Sequence, residues 1–169
     1  MPSLSRARIV AGLAVFTLFA VCVVAEAATS GAAVNVRTGS LGKMLVNGHG
    51  HTLYLFQKDV DGKSHCSSSC AAFWPPLLTS GKPHAGAGAT QSLLGTTRRA
   101  DGRLQVTYRG HPLYTFVLDT KAGQTKGEAL NKFGAVWNAV SPNGSKIPKP
   151  TTGGGGGGGG GYGGGGYGG

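Results

Sequence analysis

Two cysteines and three histidines lie close together in the first half of the chain, and their types could support metal or redox chemistry. Cys66 and Cys70 are separated by three serines, and His49, His51 and His65 precede them. Imidazole and thiolate groups are ligands that suit copper and zinc. We therefore consider the three histidines, together with the cysteines in their reduced form, as candidate metal ligands.

The N-terminus has the features of a secretory signal peptide. Arg6 and Arg8 precede an uncharged, mostly apolar run over residues 9–25, which ends in the small-x-small pattern of residues 25–27. The apolar run is at the short end for a membrane span. We therefore expect cleavage after Ala27 rather than a retained anchor, no transmembrane segment after cleavage, and a periplasmic or secreted location.

The spacing of the cysteines leaves three roles open. Cleavage of the signal peptide removes Cys22 and leaves Cys66 and Cys70 as a pair. Their three-residue spacing differs from the two-residue spacing of thioredoxin-type dithiols. An exported pair tends to close into a disulfide, and closing this short loop is worth about 2 kcal/mol in the loop-entropy model. We favour the disulfide, with metal ligation and redox catalysis as the alternatives.

Composition and charge restrict the classes of partner and activity. Sixteen basic residues against six acidic ones give a net charge of +10, which suits an anionic partner such as an envelope component. The charges are dispersed, with only Arg98 and Arg99 adjacent, so we expect a solvated basic surface and no nucleic-acid binding. The chain has no G-x-S-x-G motif and no phosphate-binding loop, and we expect no enzyme activity.

A ten-residue pattern occurs twice, sixty residues apart. Residues 50–59 read GHTLYLFQKD and residues 110–119 read GHPLYTFVLD, with six identical positions. The preceding Met-Leu-Val and Leu-Gln-Val triplets, 44–46 and 104–106, align at the same offset, and Trp74 aligns with Trp137 after a three-residue insertion. Two copies are too few for a solenoid, so we expect them to pair in one pseudo-symmetric domain.

The histidines recur only in part. His51 has a counterpart in His111, whereas the counterpart of His49 is Arg109. A metal site built from the histidines would therefore exist in the first copy alone. The plainer interpretation places His51 and His111 at the starts of strands, bonded to the backbone.

Each copy is predicted to contain a hairpin. Residues 104–108 alternate apolar and polar, which is typical of a half-buried strand. Arg109 and Gly110 then form a turn into a return strand over 112–117. In the first copy, 43–46 leads through an Asn-Gly turn into 52–56. We predict an all-β or mostly-β fold, a small antiparallel sheet domain built from two related repeats that contain hairpins.

The organisation of the whole chain follows from the repeat and the composition. A short helical turn is predicted near residues 66–74, stopped by the two prolines that follow. The glycine-rich C-terminus has no apolar face to bury, so we expect a disordered tail. The predicted segments are a signal peptide 1–27, a linker 28–40, repeat one 41–80, a linker 81–97, repeat two 98–144, and a Pro and then Gly/Tyr-rich tail 145–169.

The repeated motif contains two aromatic residues and an aspartate. Because alternate strand residues share a face, the tyrosine and phenylalanine of each copy point together, and Leu53 and Leu113 point the other way. The aspartate falls just past the strand, where a carboxylate can organise a turn. We interpret the motif as a folding motif, with a twice-used Tyr/Asp ligand site as the alternative. Its residues are Tyr54, Phe56, Asp59, Tyr114, Phe116 and Asp119.

Both copies fit the pattern Y-x-[FWY]-x-x-D. With the C-x-x-x-C pair, the W-P-P-L stretch at residues 74–77 and D-G-x-L-Q-V-T-Y at residues 101–108, the chain resembles the bacterial secreted-repeat family of predicted lipoproteins with the YxFxxD motif. The resemblance covers nearly all of residues 41–144 and implies no established activity. The chain differs from that family in lacking a lipobox and in having the glycine tail.

Together these observations favour an exported, non-enzymatic envelope or extracellular binding or structural module with no cofactor. The alternative is an extracytoplasmic metal-binding or electron-transfer accessory protein that uses copper or zinc at the His/Cys cluster of repeat one.

Overall fold

The computed structural model describes residues 31–148, and short β-strands dominate this part of the chain. The predicted mostly-β fold is confirmed, and the predicted helical turn is a six-residue helix. The elements are β1 (Ala33–Gly39), β2 (Gly42–Asn47), β3 (Tyr54–Phe56), α1 (Ser68–Phe73), β4 (Leu78–Thr79), β5 (His84–Ala85), a 3-10 helix (Gln91–Leu93), β6 (Leu94–Arg98), β7 (Leu104–Tyr108), β8 (His111–Pro112), β9 (Asn131–Lys132) and β10 (Ala135–Ala139).

The strands form three small sheets. Their orders are β2-β1-β5, β3-β10-β9 and β4-β7-β6, and β8 pairs with β7 on the same edge as β4, further along the strand. Only the β1–β5 pairing is parallel, and the other named strands pair antiparallel. The hairpin β1–β2 in repeat one corresponds to β6–β7 in repeat two.

The strand that contains Trp137 and the segment that follows Trp74 both cross to the other repeat. In β10, Trp137 lies opposite Phe56 of β3, and in the first repeat Pro76 bridges to Tyr114. The motif tyrosines also pair directly through their backbones: Tyr54 N–H donates to the Tyr114 carbonyl over 2.8 Å, and the reverse bond is 3.0 Å long. Each repeat therefore completes the sheet of its partner, and neither has a closed set of strands by itself.

The register between the repeats differs by one residue from the sequence alignment. Leu45 N–H donates to the Val140 carbonyl, whereas the equivalent bond in repeat two runs from Val106 to Leu77. Leu45 thus corresponds to Val106, an offset of 61, and the predicted offset of 60 is wrong for this strand. A one-residue shift exchanges the two faces of a strand. The longer turn of repeat one, between β2 and β3, absorbs the extra residue.

Four predicted boundaries need correction. The segment 28–40, predicted as a linker, contains β1, and the predicted linker 81–97 contains β5, the 3-10 helix and β6. The predicted tail 145–169 begins too early, because Ile147 is buried and donates its N–H to the Ala139 carbonyl. The predicted return strand 112–117 is shorter: regular pairing ends at Pro112 and is followed by single bridges at Tyr114. The predicted signal peptide 1–27, residues 28–30 and residues 149–169, which hold most of the predicted tail, lie outside the described residues.

The alternation of side chains along the motif strands sorts the interior into two cores. One core contains the motif aromatics, both tryptophans and both cysteines. Leu53, Leu55 and Leu113 face the other core, together with Leu45 and Val106. This agrees with the prediction that the leucines point away from the tyrosines, because strand neighbours alternate between faces.

Four aromatic rings form a continuous stack through the centre of the first core. Phe56 lies 4.1 Å from Trp137, Trp137 lies 3.9 Å from Trp74, and Trp74 lies 4.3 Å from Phe116, all between ring centroids. The planes of the two tryptophan rings are nearly parallel, with an angle of 4° between them. The order of the stack is symmetric about its midpoint, so the pseudo-twofold relation between the repeats passes between the tryptophans.

Candidate functional site

The two motif tyrosines and the two motif aspartates form crossed pairs, each joining one repeat to the other. Tyr54 Oη donates to Asp119 Oδ2 over 2.5 Å. Tyr114 Oη donates to Asp59 Oδ2 over 2.7 Å. Both tyrosine side chains are fully buried. We call these two hydrogen bonds the crossed pairs.

The second oxygen of each carboxylate holds the loop that follows the motif. Asp59 Oδ1 accepts the backbone N–H of His65 over 2.7 Å, and Asp119 Oδ1 accepts that of Lys126 over 2.9 Å. This agrees with the prediction that the aspartates organise the following turn, although each bond spans a loop of six or seven residues. Each aspartate thus ties the other repeat's tyrosine to its own loop.

Ring packing fixes the tyrosines above the aromatic stack. The ring of Tyr54 meets Trp74 edge to face, with centroids 5.3 Å apart, and Tyr114 meets Trp137 in the same way at 5.1 Å. Such edge-to-face contacts suit the ring quadrupoles. The ring packing therefore helps to hold the hydroxyl groups in place, in addition to the bonds that they donate to the carboxylates.

A buried arginine lies beside the pair formed by Tyr114 and Asp59. Arg99 donates through Nη1 to Gln105 Oε1 over 2.6 Å and to Ser64 Oγ over 2.8 Å, and through Nη2 to the Cys66 carbonyl over 2.7 Å. Ser64 Oγ also lies 2.7 Å from Tyr114 Oη. The sequence predicted Arg99 as part of a solvated basic surface, and this is wrong, because only 8% of the residue is exposed.

The pair formed by Tyr54 and Asp119 has different surroundings. Gly127 donates its N–H to Tyr54 Oη over 3.3 Å. A Cβ on Gly127 would lie 2.8 Å from Trp74 and 2.9 Å from Tyr54, so the aromatic rings leave no space for a side chain there. Glu128 accepts the N–H of Ala139 and the side-chain amide of Asn138, which fixes this loop to β10.

Burial shifts the pKa of all four paired groups upwards. Desolvation raises the pKa of the Asp59 and Asp119 carboxyls, although the hydrogen bonds that they accept act in the opposite direction. Desolvation and the neighbouring carboxylates raise the pKa of Tyr54 and Tyr114 above their ordinary value. The tyrosines therefore stay neutral donors at neutral pH.

The geometry of the crossed pairs suits structural bonding. Each tyrosine hydroxyl donates to a carboxylate, and each carboxylate oxygen already accepts a hydrogen bond from the protein. The side chain of Asp59 is only 1% exposed. A ligand would have to displace these internal bonds before it could contact the motif.

The cysteines and histidines of the predicted metal cluster do not form a ligand set in the described part of the chain. Cys66 and Cys70 form a disulfide at the start of α1, so the predicted disulfide is present and neither sulfur is a thiolate. His51 Nδ1 bonds the Asp119 carbonyl over 2.8 Å, as expected for a backbone contact. His49 is exposed, and His65 lies with its Nδ1 3.9 Å from Asp59 Oδ1. Between residues 31 and 148, no group of three or more His, Cys, Asp or Glu is placed to hold a metal ion.

Sequence reasoning missed three polar residues that support the crossed pairs, namely Arg99, Gln105 and Glu128. Gln105 is fully buried and donates to the Leu113 carbonyl. Its place in β7 between the apolar Leu104 and Val106 was the available signal, because a buried amide needs partners. Neither Arg99 nor Glu128 has a comparable signal, since charged residues outside a motif are usually exposed.

Comparison with known proteins returned one match. A family model described as "Secreted repeat of unknown function" matches residues 35–78 and 95–141. No curated protein and no solved structure matched the chain. In the described part of the chain, no helix is both long and apolar enough to cross a membrane.

Proposed function

The chain belongs to the family of secreted repeats of unknown function, and we propose that it serves as an exported, non-enzymatic binding or structural module of the envelope or the extracellular space. The family assignment agrees with the resemblance seen in the sequence. In this proposal the YxFxxD motif joins two repeats into one rigid domain, and the surface of that domain meets the partner.

The crossed pairs carry this proposal. A motif that binds or transforms a ligand needs polar atoms that the ligand can reach. The hydroxyl and carboxylate groups of this motif are buried, and the protein itself supplies their hydrogen-bond partners. Buried, fully satisfied polar networks favour one arrangement of the chain over others, which is the role expected of a folding motif.

An anionic envelope component is the proposed partner class. The net charge is +10, and two of the six acidic side chains, Asp59 and Asp119, are bonded inside the domain. A third, Asp101, is paired with Arg103 over 2.7 Å. The lysines on the surface therefore have few acidic neighbours, which favours attraction to anionic partners.

The test of the module role is a variant that weakens both crossed pairs, Asp59→Asn/Asp119→Asn. An asparagine has one acceptor oxygen where the aspartate uses two, so one hydrogen bond is lost at each position. We expect each change to lower the free energy of unfolding by about 1–2 kcal/mol, measured by urea denaturation. Binding to anionic partners should fall only as far as folding does.

Asp61→Asn is the matched control. Asp61 is exposed, and its backbone has a φ of 52°, which asparagine tolerates well. We expect this variant to keep wild-type stability. A double Asp59→Asn/Asp119→Asn protein with wild-type stability and lost binding would overturn the folding role and make the aspartates a ligand site.

The alternative function, a metal-binding or electron-transfer protein, would need the cysteines in their reduced form. Thiolates are the soft ligands of such a site, and Cys66 and Cys70 are joined here. Metal analysis of the purified protein, together with a free-thiol count, separates the two functions. Bound copper or zinc with two free thiols would favour the alternative.

A further inference from the structure

An apolar groove opens on the surface beside the tryptophan stack. Its rim consists of Phe73, Leu118 and Phe133, which are 52%, 55% and 38% exposed, and its floor includes Trp74 and Phe116. The groove has a volume of about 380 Å³ and no acidic residue in its lining. We call this surface the apolar groove. Exposed, contiguous apolar surface of this kind is typical of an interaction site.

The comparison between the repeats shows that the turn after the motif phenylalanine does not require the apolar rim residue Leu118. Val117 and Leu118 follow the motif phenylalanine in repeat two, and Gln57 and Lys58 take the same places in repeat one. The backbone contact is the same in both, because Val117 N–H donates to the Phe73 carbonyl as Gln57 N–H donates to the Val136 carbonyl, each over 3.0 Å. Polar side chains are therefore compatible with this turn, and the apolar ones serve something other than the turn.

The backbone at Phe133 supports the same conclusion. Phe133 and Gly134 form the two-residue turn between β9 and β10, with φ values of 57° and 89°. A turn with two positive φ values favours asparagine or glycine at its first position. A bulky aromatic residue is strained there, yet its ring is placed at the rim, with its centroid 6.1 Å from that of Phe73.

Two lysines flank the apolar groove. Lys132 contributes to its lining, and Lys58 Nζ lies 3.8 Å from the position that a Cβ would take on Gly134. Neither lysine forms an ion pair with another described residue. The partner should therefore combine an apolar part that accepts phenyl and leucyl side chains with an anionic part that meets the ammonium groups.

We propose that the apolar groove docks the domain on the surface of an anionic lipid bilayer. In this arrangement Phe73, Leu118 and Phe133 enter the boundary between acyl chains and headgroups, while Lys58 and Lys132 contact the anionic headgroups. The proposal names a partner for the binding role proposed above and rests on that role.

Other occupants fit the groove less well. A stable protein–protein interface takes about 20–30 residues from each side, whereas the rim offers three exposed apolar side chains, so a second copy would gain little. A water-soluble polyanion of the cell wall would meet the lysines but would leave the phenyl rings in water. A bilayer surface uses both parts of the groove.

The test is co-sedimentation of the purified exported protein with two kinds of vesicle, phosphatidylcholine alone and phosphatidylcholine mixed with phosphatidylglycerol. We expect binding to the mixed vesicles, with a partition coefficient that falls as salt is added. Leu118→Ser should lower that coefficient at least about tenfold, because the variant loses the free energy of transferring a leucine side chain from water into the bilayer. Lys58→Gln/Lys132→Gln should lower it as well and reduce its salt dependence.

Val60→Ser is the matched control. Val60 is 55% exposed, as Leu118 is, but it lies outside the apolar groove. We expect this variant to bind the mixed vesicles as the wild type does. An unchanged melting temperature in Leu118→Ser and Val60→Ser shows that each comparison concerns folded protein.

Several results would overturn the docking proposal. The first is absence of binding to the mixed vesicles, and the second is an equal loss of vesicle binding in Leu118→Ser and Val60→Ser. The third is a wild-type dimer that dissociates in Leu118→Ser. The fourth is binding of the wild type to a soluble polyphosphate that Leu118→Ser leaves intact. If vesicle binding fails while Asp59→Asn/Asp119→Asn still loses stability, docking is wrong and the module role stands. If the double aspartate variant is as stable as the wild type, the module role fails regardless of the vesicle result.

Discussion

The two crossed pairs have the same geometry, but the chain supports them in different ways. After Asp59, the Cys66–Cys70 disulfide closes the following loop, and Arg99 donates a hydrogen bond to the carbonyl of Cys66 in that loop. Beside Asp119, the loop is longer and has no cysteine, and Glu128 bonds it to β10. The shared part is the tyrosine–aspartate bond, and the supports around it have diverged.

This difference indicates which features the fold requires. In each repeat the motif aspartate accepts one backbone N–H from the loop that follows it. The next residue in the loop is Cys66 in repeat one and Gly127 in repeat two. Aromatic rings exclude a side chain at Gly127, so a cysteine like Cys66 could not occupy that place. The crossed pairs and the aromatic stack occur in both halves, and the disulfide is a local solution of one half.

The largest expected effect is the loss of a motif tyrosine. Tyr54→Ala and Tyr114→Ala each remove a fully buried ring, its edge-to-face contact and a crossed hydrogen bond. We expect each variant to lose about 3–5 kcal/mol of unfolding free energy, as measured by chemical denaturation. Since the two tyrosines are equivalent, the two variants should lose similar amounts of unfolding free energy. A loss of less than about 1 kcal/mol in one variant would show that the two tyrosines are not equivalent.

A smaller effect is expected from opening the disulfide, which is present in one half only. Cys66→Ala/Cys70→Ala should lower the free energy of unfolding by about 2 kcal/mol, the value for closing so short a loop. The protein should still fold, because the hydrogen bonds of Arg99 and Asp59 continue to hold this loop. Ser67→Ala, an exposed change in the same loop, serves as the control. Complete unfolding of the double cysteine variant would show that the two halves are not equivalent.

Much of the fold was predictable from the sequence because its signals are local. The alternation of residues 104–108 predicted β7, and the repeated aromatic spacing predicted which side chains share a core. β1 was missed although residues 34–37 alternate between apolar and polar, since the repeat alignment began after them. The one-residue difference in register was missed because an aligned triplet does not reveal which face of a strand is buried.

The arrangement of the candidate site could not be predicted in this way. Tyr54 and Asp59 lie five residues apart in sequence, which suggests a partnership within one repeat. The structure instead pairs Tyr54 with Asp119, because the strand segment at each tryptophan crosses to the other repeat. Such crossing depends on tertiary pairing, which no local spacing encodes. The burial of Arg99 likewise depends on partners that are 33 and 35 residues away along the chain.

The most direct test of the crossed arrangement is a pair of double-mutant cycles on the free energy of unfolding. One cycle combines Tyr54→Phe with Asp119→Asn, and the other combines Tyr54→Phe with Asp59→Asn. We predict a coupling energy of about 1 kcal/mol in the first cycle, where the two groups share a hydrogen bond. In the second cycle the effects should add to within about 0.5 kcal/mol, because these groups do not bond each other. Coupling in the second cycle that equals or exceeds coupling in the first would contradict the crossed pairs.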